Sequence, residues 1–194
     1  MQDYLQKENY VTRNPSPNDW RYHPNYSILE LHQQLITGKV CADFGCNHGS
    51  CTILMQDFKP ASTDAYDINQ NALEVAVKTA EQHETHISFI HANLMELPCA
   101  DNKYEFAVSF HTLEHIYPEH APQVVKEIYR VLKKDGYFLI SIPYDHHYPD
   151  RCHVAFYKED SLMQLFESNK FKTIECIKDD RWSEKGLLTA VFQK

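Results

Sequence analysis

One segment constrains the fold of this chain more than any other, and it reads VCADFGCNHGS over residues 40–50. A short apolar run ends at Asp43, two glycines follow at Gly45 and Gly49, and a helical pattern begins at Ser50. Glycine is needed where the backbone turns with positive φ or closely approaches a ligand. The segment therefore predicts a strand, a tight loop and a helix. At the switch point of a parallel sheet, such a turn forms a binding crevice.

The remainder of the chain alternates between strand and helix patterns. The predicted strands are 40–43, 61–67, 87–91, 106–110, 137–143, 173–178 and 187–192, and the predicted helices are 27–36, 50–58, one capped by Asn69, 122–134 and 161–168. In the helix over 122–134, Lys133 and Lys134 suit the C-terminus, where the helix dipole is negative. Gly136 is the residue type that commonly follows a helix end. Such alternation predicts a Rossmann-like α/β fold, a three-layer sandwich around a mostly parallel seven-stranded sheet.

The 194 residues fit a single domain. Pro15, Pro17 and Pro24 interrupt any regular element near the start. We therefore expect residues 1–26 to form an extended arm or lid, and residues 27–194 to form the domain.

Charge and cysteine content restrict the partners and the compartment. The formal net charge is −8, which argues against nucleic acid as the main partner. Residues 1–10 carry no apolar stretch typical of a signal peptide, and no apolar run is long enough to span a membrane. None of the six cysteines forms a CxxC pair, so we expect reduced thiols and a cytoplasmic protein.

The glycine spacing distinguishes between ligands. The loop over 45–49 fits neither the GxGxxG dinucleotide fingerprint nor a P-loop. It resembles the DxGxGxG segment of class I S-adenosylmethionine-dependent methyltransferases, with Asn47 in place of the central glycine. Asparagine tolerates the left-handed region best among non-glycine residues, so the turn can be kept.

The resemblance extends from about Ser27 to Phe192. The segment HANLMELP over 91–98 is similar to the family's DAxxLP pattern, with Asn93 where an acid is usual. The LEHI run over 113–116 is similar to the LEHV of small-molecule members, and 130–137 resembles the RxLKPGG turn. The resemblance implies the strand order 3-2-1-4-5-7-6, with the last strand antiparallel.

The resemblance also implies the cofactor S-adenosylmethionine and its contacts. Asp67, which ends the second strand, is expected to bind both ribose hydroxyls, because a carboxylate accepts two hydrogen bonds at once. Asn93 and Leu94 are expected beside the adenine, and Phe110 in the segment near the methyl group. The full set of expected cofactor residues is Asp43, Gly45, Cys46, Asn47, Gly49, Asp67, Ile68, Asn93, Leu94 and Phe110.

The expected reaction is methyl transfer to the oxygen or nitrogen of a small-molecule acceptor. Alignment of the reactants can lower the activation barrier by roughly 7–11 kcal/mol. A general base can accelerate the reaction on the order of 10²–10⁴-fold. The candidate catalytic residues are His111, His115 and His146; if the exit from the fourth strand is helical, His111 and His115 share a face. Residues 145–153 match no standard metal spacing, so we expect no metal and a loop that lines the substrate.

The acceptor pocket is expected between the 1–26 arm, residues 111–115 and the 144–153 loop. Two alternatives stay open: a relative that binds the cofactor without activity, suggested by Asn47 and Asn93, and a nicotinamide-dependent oxidoreductase. The sequence does not reveal the oligomeric state.

Overall fold

A computed structural model describes residues 24–144, 152–179 and 186–194. Within them lies a seven-stranded sheet of order β3-β2-β1-β4-β5-β7-β6. The strands are β1 (Val40–Phe44), β2 (Ser62–Asp67), β3 (Ser88–His91), β4 (Tyr104–Phe110), β5 (Leu132–Pro143), β6 (Lys172–Asp179) and β7 (Leu187–Gln193). Strands β1 to β5 pair in parallel, and β7 runs antiparallel to both β5 and β6. The predicted fold class and strand order are confirmed.

Helices cover both faces of this sheet. They are α1 (Pro24–Leu31), α2 (Ser50–Met55), α3 (Gln70–Gln82), α4 (Ala121–Val131) and α5 (Glu159–Glu167), with short 3₁₀ turns at Gln33–Leu35, Gln56–Phe58 and Leu113–His115. Asn69 caps α3 as predicted, because its side chain accepts hydrogen bonds from the backbone N–H groups of Asn71 and Ala72. None of the helices in the described ranges has the length and apolar content that a membrane crossing requires.

The core consists of two layers, one on each face of the sheet. Buried residues of α4 and α5, such as Ile128 and Phe166, pack on Phe44 and Phe138. On the opposite face, buried residues of α1 and α2 pack on strand residues such as Val108. This arrangement is the predicted three-layer sandwich, and it leaves the loops at the carboxyl ends of β1 to β5 available for a site.

The prediction for the end of the helix over 122–134 was wrong. Helix α4 stops at Val131, and Lys133, Lys134 and Gly136 all belong to β5. Leu132 is fully buried and pairs with Tyr104 of β4, so sheet hydrogen bonds replace the last helical turn. At Gly136 an added Cβ would lie 2.9 Å from the Lys133 carbonyl oxygen. The glycine thus permits close approach of two backbones instead of ending a helix.

The first helix also differs from its prediction. It begins at Pro24 and not at Ser27, in agreement with the preference for proline in the first helical turn. It does not continue to residue 36, because His32 leaves the helical region and a 3₁₀ turn follows. Residues 24–26 therefore belong to the helix and not to the arm. The rest of the predicted arm lies outside the described residues.

Candidate functional site

The loop between β1 and α2 folds back on the end of β2. The N–H groups of Gly45 and Cys46 both donate to the Tyr66 carbonyl oxygen, at 2.8 and 3.0 Å. Gly45 has φ +81°, and a Cβ there would overlap the side chain of Thr112. Asn47 has φ +48°, so it occupies the left-handed region as its sequence position predicted. Replacement of the family's central glycine therefore leaves the turn intact.

The carboxylate of Asp67 joins two loops. Its Oδ2 accepts a hydrogen bond from the Asn47 N–H, and its Oδ1 accepts one from the Asn69 N–H, both at 2.8 Å. An ionised carboxylate has about four acceptor positions, so each oxygen can accept a further bond from a ligand hydroxyl. Ile68, the next residue in the chain, is 42% exposed, so an apolar side chain is accessible at this end of β2.

The loop after β3 completes this edge of the sheet. The Ala92 N–H donates to the Asp67 carbonyl oxygen at 2.9 Å, which fixes this loop against the end of β2. Asn93 is exposed, and its Oδ1 accepts a hydrogen bond from the Met95 N–H at 2.9 Å. Leu94 beside it is half-buried. The structure therefore brings the predicted ribose and adenine residues together on one continuous edge.

Three predicted cofactor residues lie deeper than this edge. Asp43 is 1% exposed and accepts a hydrogen bond from the Thr52 hydroxyl at 2.6 Å. Burial raises the pKa of Asp43 to about 7, although the Thr52 hydrogen bond acts in the opposite direction. Cys46 packs among buried residues of β2 and α3, and burial raises the pKa of its thiol well above the usual range. The Phe110 side chain is buried in the core layer of α1 and α2.

The segment after β4 is not helical where His111 stands. His111 has φ +54°, and its N–H donates to the Ser141 carbonyl oxygen at 2.9 Å. The condition for His111 and His115 to share a helical face is therefore not met, because only a 3₁₀ turn over Leu113–His115 forms. His111 lies instead 3.6 Å from Glu114, measured from Nδ1 to Oε1, and its side chain is 40% exposed.

Glu114 is a residue whose importance sequence reasoning missed. It is 3% exposed, and neither carboxylate oxygen has a hydrogen-bond partner among the described residues. Burial and the charge of Glu114 raise the pKa of Tyr157 to about 12. A buried carboxylate without a hydrogen-bond partner is costly, and such groups concentrate where a function requires them. Its place within the LEHI run was the available signal.

His115 faces the segment that follows the fifth strand. Its Nδ1 donates to the Cys152 carbonyl oxygen at 3.2 Å, and its ring centroid lies 4.8 Å from that of His153. The Glu114 carbonyl oxygen accepts hydrogen bonds from the N–H groups of Val154 and Ala155, at 2.8 and 3.1 Å. The segment from 152 to 155 is thus fixed against the 3₁₀ turn that follows β4. His146 lies outside the described residues.

A family model for a methyltransferase domain matches residues 42–140. The match begins in β1, ends in β5 and includes the loops that carry Gly45, Asp67 and Asn93. The chain belongs to the class I S-adenosylmethionine-dependent methyltransferases. S-adenosylmethionine is accordingly its cofactor, and the edge at Asp67 fits it, because acceptor positions remain on the carboxylate and the next residue, Ile68, exposes an apolar side chain.

The chain is similar to curated proteins whose names describe quinone methyltransferases. It is 28% identical over 103 residues to a 2-phytyl-1,4-naphtoquinone methyltransferase of Trichormus variabilis, covering 51% of this chain and 44% of the relative. It is 30% identical over 102 residues to a demethylmenaquinone methyltransferase of a Geobacillus species, covering 51% and 43%. The chain thus spans less than half the length of these curated relatives.

Solved structures share the fold of this methyltransferase. A SAM-dependent methyltransferase from Aquifex aeolicus superposes with a TM-score of 0.76 at 14% identity, covering 92% of this chain and 93% of that one. A Burkholderia thailandensis 1,6-didemethyltoxoflavin-N1-methyltransferase gives a TM-score of 0.74 at 18% identity, covering 89% and 77%. At these identities the likeness shows the fold alone.

Proposed function

We propose that this methyltransferase transfers the methyl group of S-adenosylmethionine to the oxygen or nitrogen of a small organic acceptor. The observation that carries the proposal is the half-buried Asp67 carboxylate, which is fixed by two backbone N–H groups and retains acceptor capacity. The names of the quinone and toxoflavin methyltransferases support a small organic molecule as the acceptor.

Different residues of this edge would bind different parts of the cofactor. The bound cofactor supplies a sulfonium methyl group that a nucleophile can accept. Asp67 would accept hydrogen bonds from the two ribose hydroxyls, and the exposed side chain of Ile68 would contact the adenine. Asn93 lies exposed on the adjoining loop, where its side-chain amide can pair with the edge of the base.

His111 is the proposed general base. It follows β4 directly, and its exposed side chain can reach an acceptor held at the carboxyl ends of β4 and β5. Glu114 places a carboxylate 3.6 Å from the ring and thereby positions the imidazole. A base at this place takes the proton that a hydroxyl or amine acceptor loses as the new bond forms.

The acceptor is proposed to bind between residues 111–115, the segment around Cys152 and the 1–26 arm, with His146 as a further candidate for contact. All six cysteines are thiols, in keeping with our proposal that the protein works in the cytoplasm. The net charge of −8 supports a small-molecule acceptor over nucleic acid.

A turnover assay with a panel of acceptors tests this function. Naphthoquinols, phenols and aromatic amines are offered with S-adenosylmethionine, and S-adenosylhomocysteine and the methylated product are measured by mass spectrometry. We expect product from at least one class, in an amount equal to the S-adenosylhomocysteine formed. Tight cofactor binding without product from any class would favour the alternative of a binding protein without activity.

A further inference from the structure

We propose that His115, Cys152 and His153 form a binding site for a zinc-type metal ion at the acceptor edge of the sheet. The potential ligand atoms of these three half-buried side chains all lie within 4.8 Å of one another. Cys152 and His153 come from the segment after β5, and His115 comes from the 3₁₀ turn after β4, 37 positions before Cys152 along the chain. Sequence spacing alone had predicted no metal here.

Backbone hydrogen bonds hold the two segments in place without any metal. Val154 and Ala155 both donate to the Glu114 carbonyl oxygen, immediately beside the three side chains. The site is therefore largely preformed, and metal binding does not require the free energy of bringing two distant segments together. The half-buried position also limits competition from bulk water.

The hydrogen bond of His115 prepares its ring for a metal. Its Nδ1 contacts the Cys152 carbonyl oxygen, which can only accept, so Nδ1 must carry the proton. In the neutral imidazole the lone pair then lies on Nε2, which becomes the ligand atom. Histidines that bind metals commonly donate their other ring N–H to a backbone carbonyl in this way.

The donor set selects the metal class. One thiolate with two imidazoles suits Zn²⁺ and disfavours hard cations such as Mg²⁺ and Ca²⁺. Usual Zn–N and Zn–S bonds in a tetrahedron separate ligand atoms by about 3.3–3.7 Å. Since the potential ligand atoms lie within 4.8 Å of one another, binding requires them to approach by about 1.5 Å at most, which rotamer adjustment permits. Three protein ligands leave a fourth position for water or an acceptor oxygen.

The inference does not depend on methyl transfer. The site lies beside the proposed acceptor region, but metal binding is measured without cofactor or acceptor. A failure of methyl transfer and a failure of metal binding are thus separate results.

Titration of the untagged, metal-stripped chain with Co²⁺ and with Zn²⁺ tests the proposal. We expect one equivalent of Co²⁺ to produce a thiolate-to-cobalt charge-transfer band, which one equivalent of Zn²⁺ then abolishes. Cys152→Ser and His153→Gln should each lose the band and weaken Zn²⁺ binding at least about 100-fold. Cys176→Ser, at a half-buried cysteine of β6, is the matched control and should bind like the parent.

Thermal unfolding of the metal-free variants checks that each still folds. Both positions are in a half-exposed segment outside the sheet, so we expect unchanged unfolding temperatures. The proposal is overturned if the parent shows no thiolate band, or if Cys152→Ser binds Zn²⁺ as tightly as Cys176→Ser.

Discussion

Asp43 shows how burial makes a single residue sensitive to pH. Its raised pKa, about 7, is caused mainly by burial at the end of β1. An unfolded aspartate titrates near pH 3.9, so the folded chain binds this proton more tightly than the unfolded chain. The resulting contribution to stability is complete below about pH 4 and is lost as the pH rises through 7.

Asp43→Asn should remove this pH dependence. Between pH 5 and 8 the parent should lose on the order of 1–3 kcal/mol of unfolding free energy more than the variant. Urea unfolding at both pH values measures the difference. Asp57→Asn, at an exposed carboxylate, is the control and should behave like the parent. Identical pH dependence in the parent and Asp43→Asn would show that Asp43 titrates in its ordinary range.

His111→Gln tests the proposed base. The variant should lower kcat by about 10² or more, because the positioned imidazole is lost. Its affinity for S-adenosylmethionine should not change, since the proposed cofactor residues around Asp67 are untouched. His86→Gln, at an exposed histidine before β3, is the matched control. If His111→Gln turned over like His86→Gln, the base would have to be sought elsewhere, with His146 the next candidate.

At the scale of elements, Arg130 joins α4 to the loop between β3 and β4. Its guanidinium donates to the carbonyl oxygens of Leu97 and Cys99, at 3.0 and 2.9 Å, and to the carboxylates of Asp101 and Glu127. The Arg130 hydrogen bond lowers the pKa of Glu127. This network holds the loop that leads into β4. It thereby helps to set the position of His111, which follows the other end of that strand.

Arg130→Met should therefore destabilise the fold. It leaves the carboxylate of Glu127, which is 9% exposed, without its cation, and it removes the guanidinium bonds to two carbonyls. We expect a loss of about 2–4 kcal/mol in urea unfolding. Lys126→Met, on the exposed face of the same helix, should change stability by less than about 0.5 kcal/mol. Equal stabilities of the two variants would contradict this role for Arg130.

Local signals explain which elements the sequence predicts well. The positions of the strands and helices could be predicted because apolar runs alternate with helix patterns and local turn residues such as Asn47 and Asn69 mark the boundaries. The strand order followed from the resemblance to class I methyltransferases. The end of α4 could not be predicted, because Lys133 and Lys134 satisfy the local rules for a helix end. The pairing of Leu132 with Tyr104, which ends the helix earlier, is a contact between residues distant in the sequence. The cluster of His115 with Cys152 and His153 escapes prediction for the same reason.

At the scale of the whole molecule, the packing of Tyr26 shows where the last residue of the predicted 1–26 arm lies. Its ring packs on Phe58, with centroids 5.4 Å apart, against the core layer of α1 and α2. This residue therefore belongs to the face of the sheet and does not act as a lid wall. The lid prediction stands for the preceding residues, which include Tyr10, Trp20 and Tyr22.

Deletion of residues 1–20 tests the lid. The deletion ends before α1, so the domain should fold and bind S-adenosylmethionine like the full chain. If the lid prediction holds, methyl transfer should fall sharply, because the deletion removes aromatic residues that we propose shield the acceptor from water. Cofactor affinity and unfolding temperature serve as internal controls. Undiminished turnover would mean that the arm packs on the outer helices instead.

Calorimetric titration with S-adenosylmethionine, in the parent, Asp67→Ala and Asp57→Ala, tests the central claim most directly. The account predicts one equivalent bound by the parent and by Asp57→Ala, and no heat with NAD. Asp67→Ala removes charged hydrogen bonds worth roughly 1.5–3 kcal/mol each, so its affinity should fall at least about tenfold. Binding of NAD in place of S-adenosylmethionine, or equal affinity of Asp67→Ala and the parent, would contradict the account.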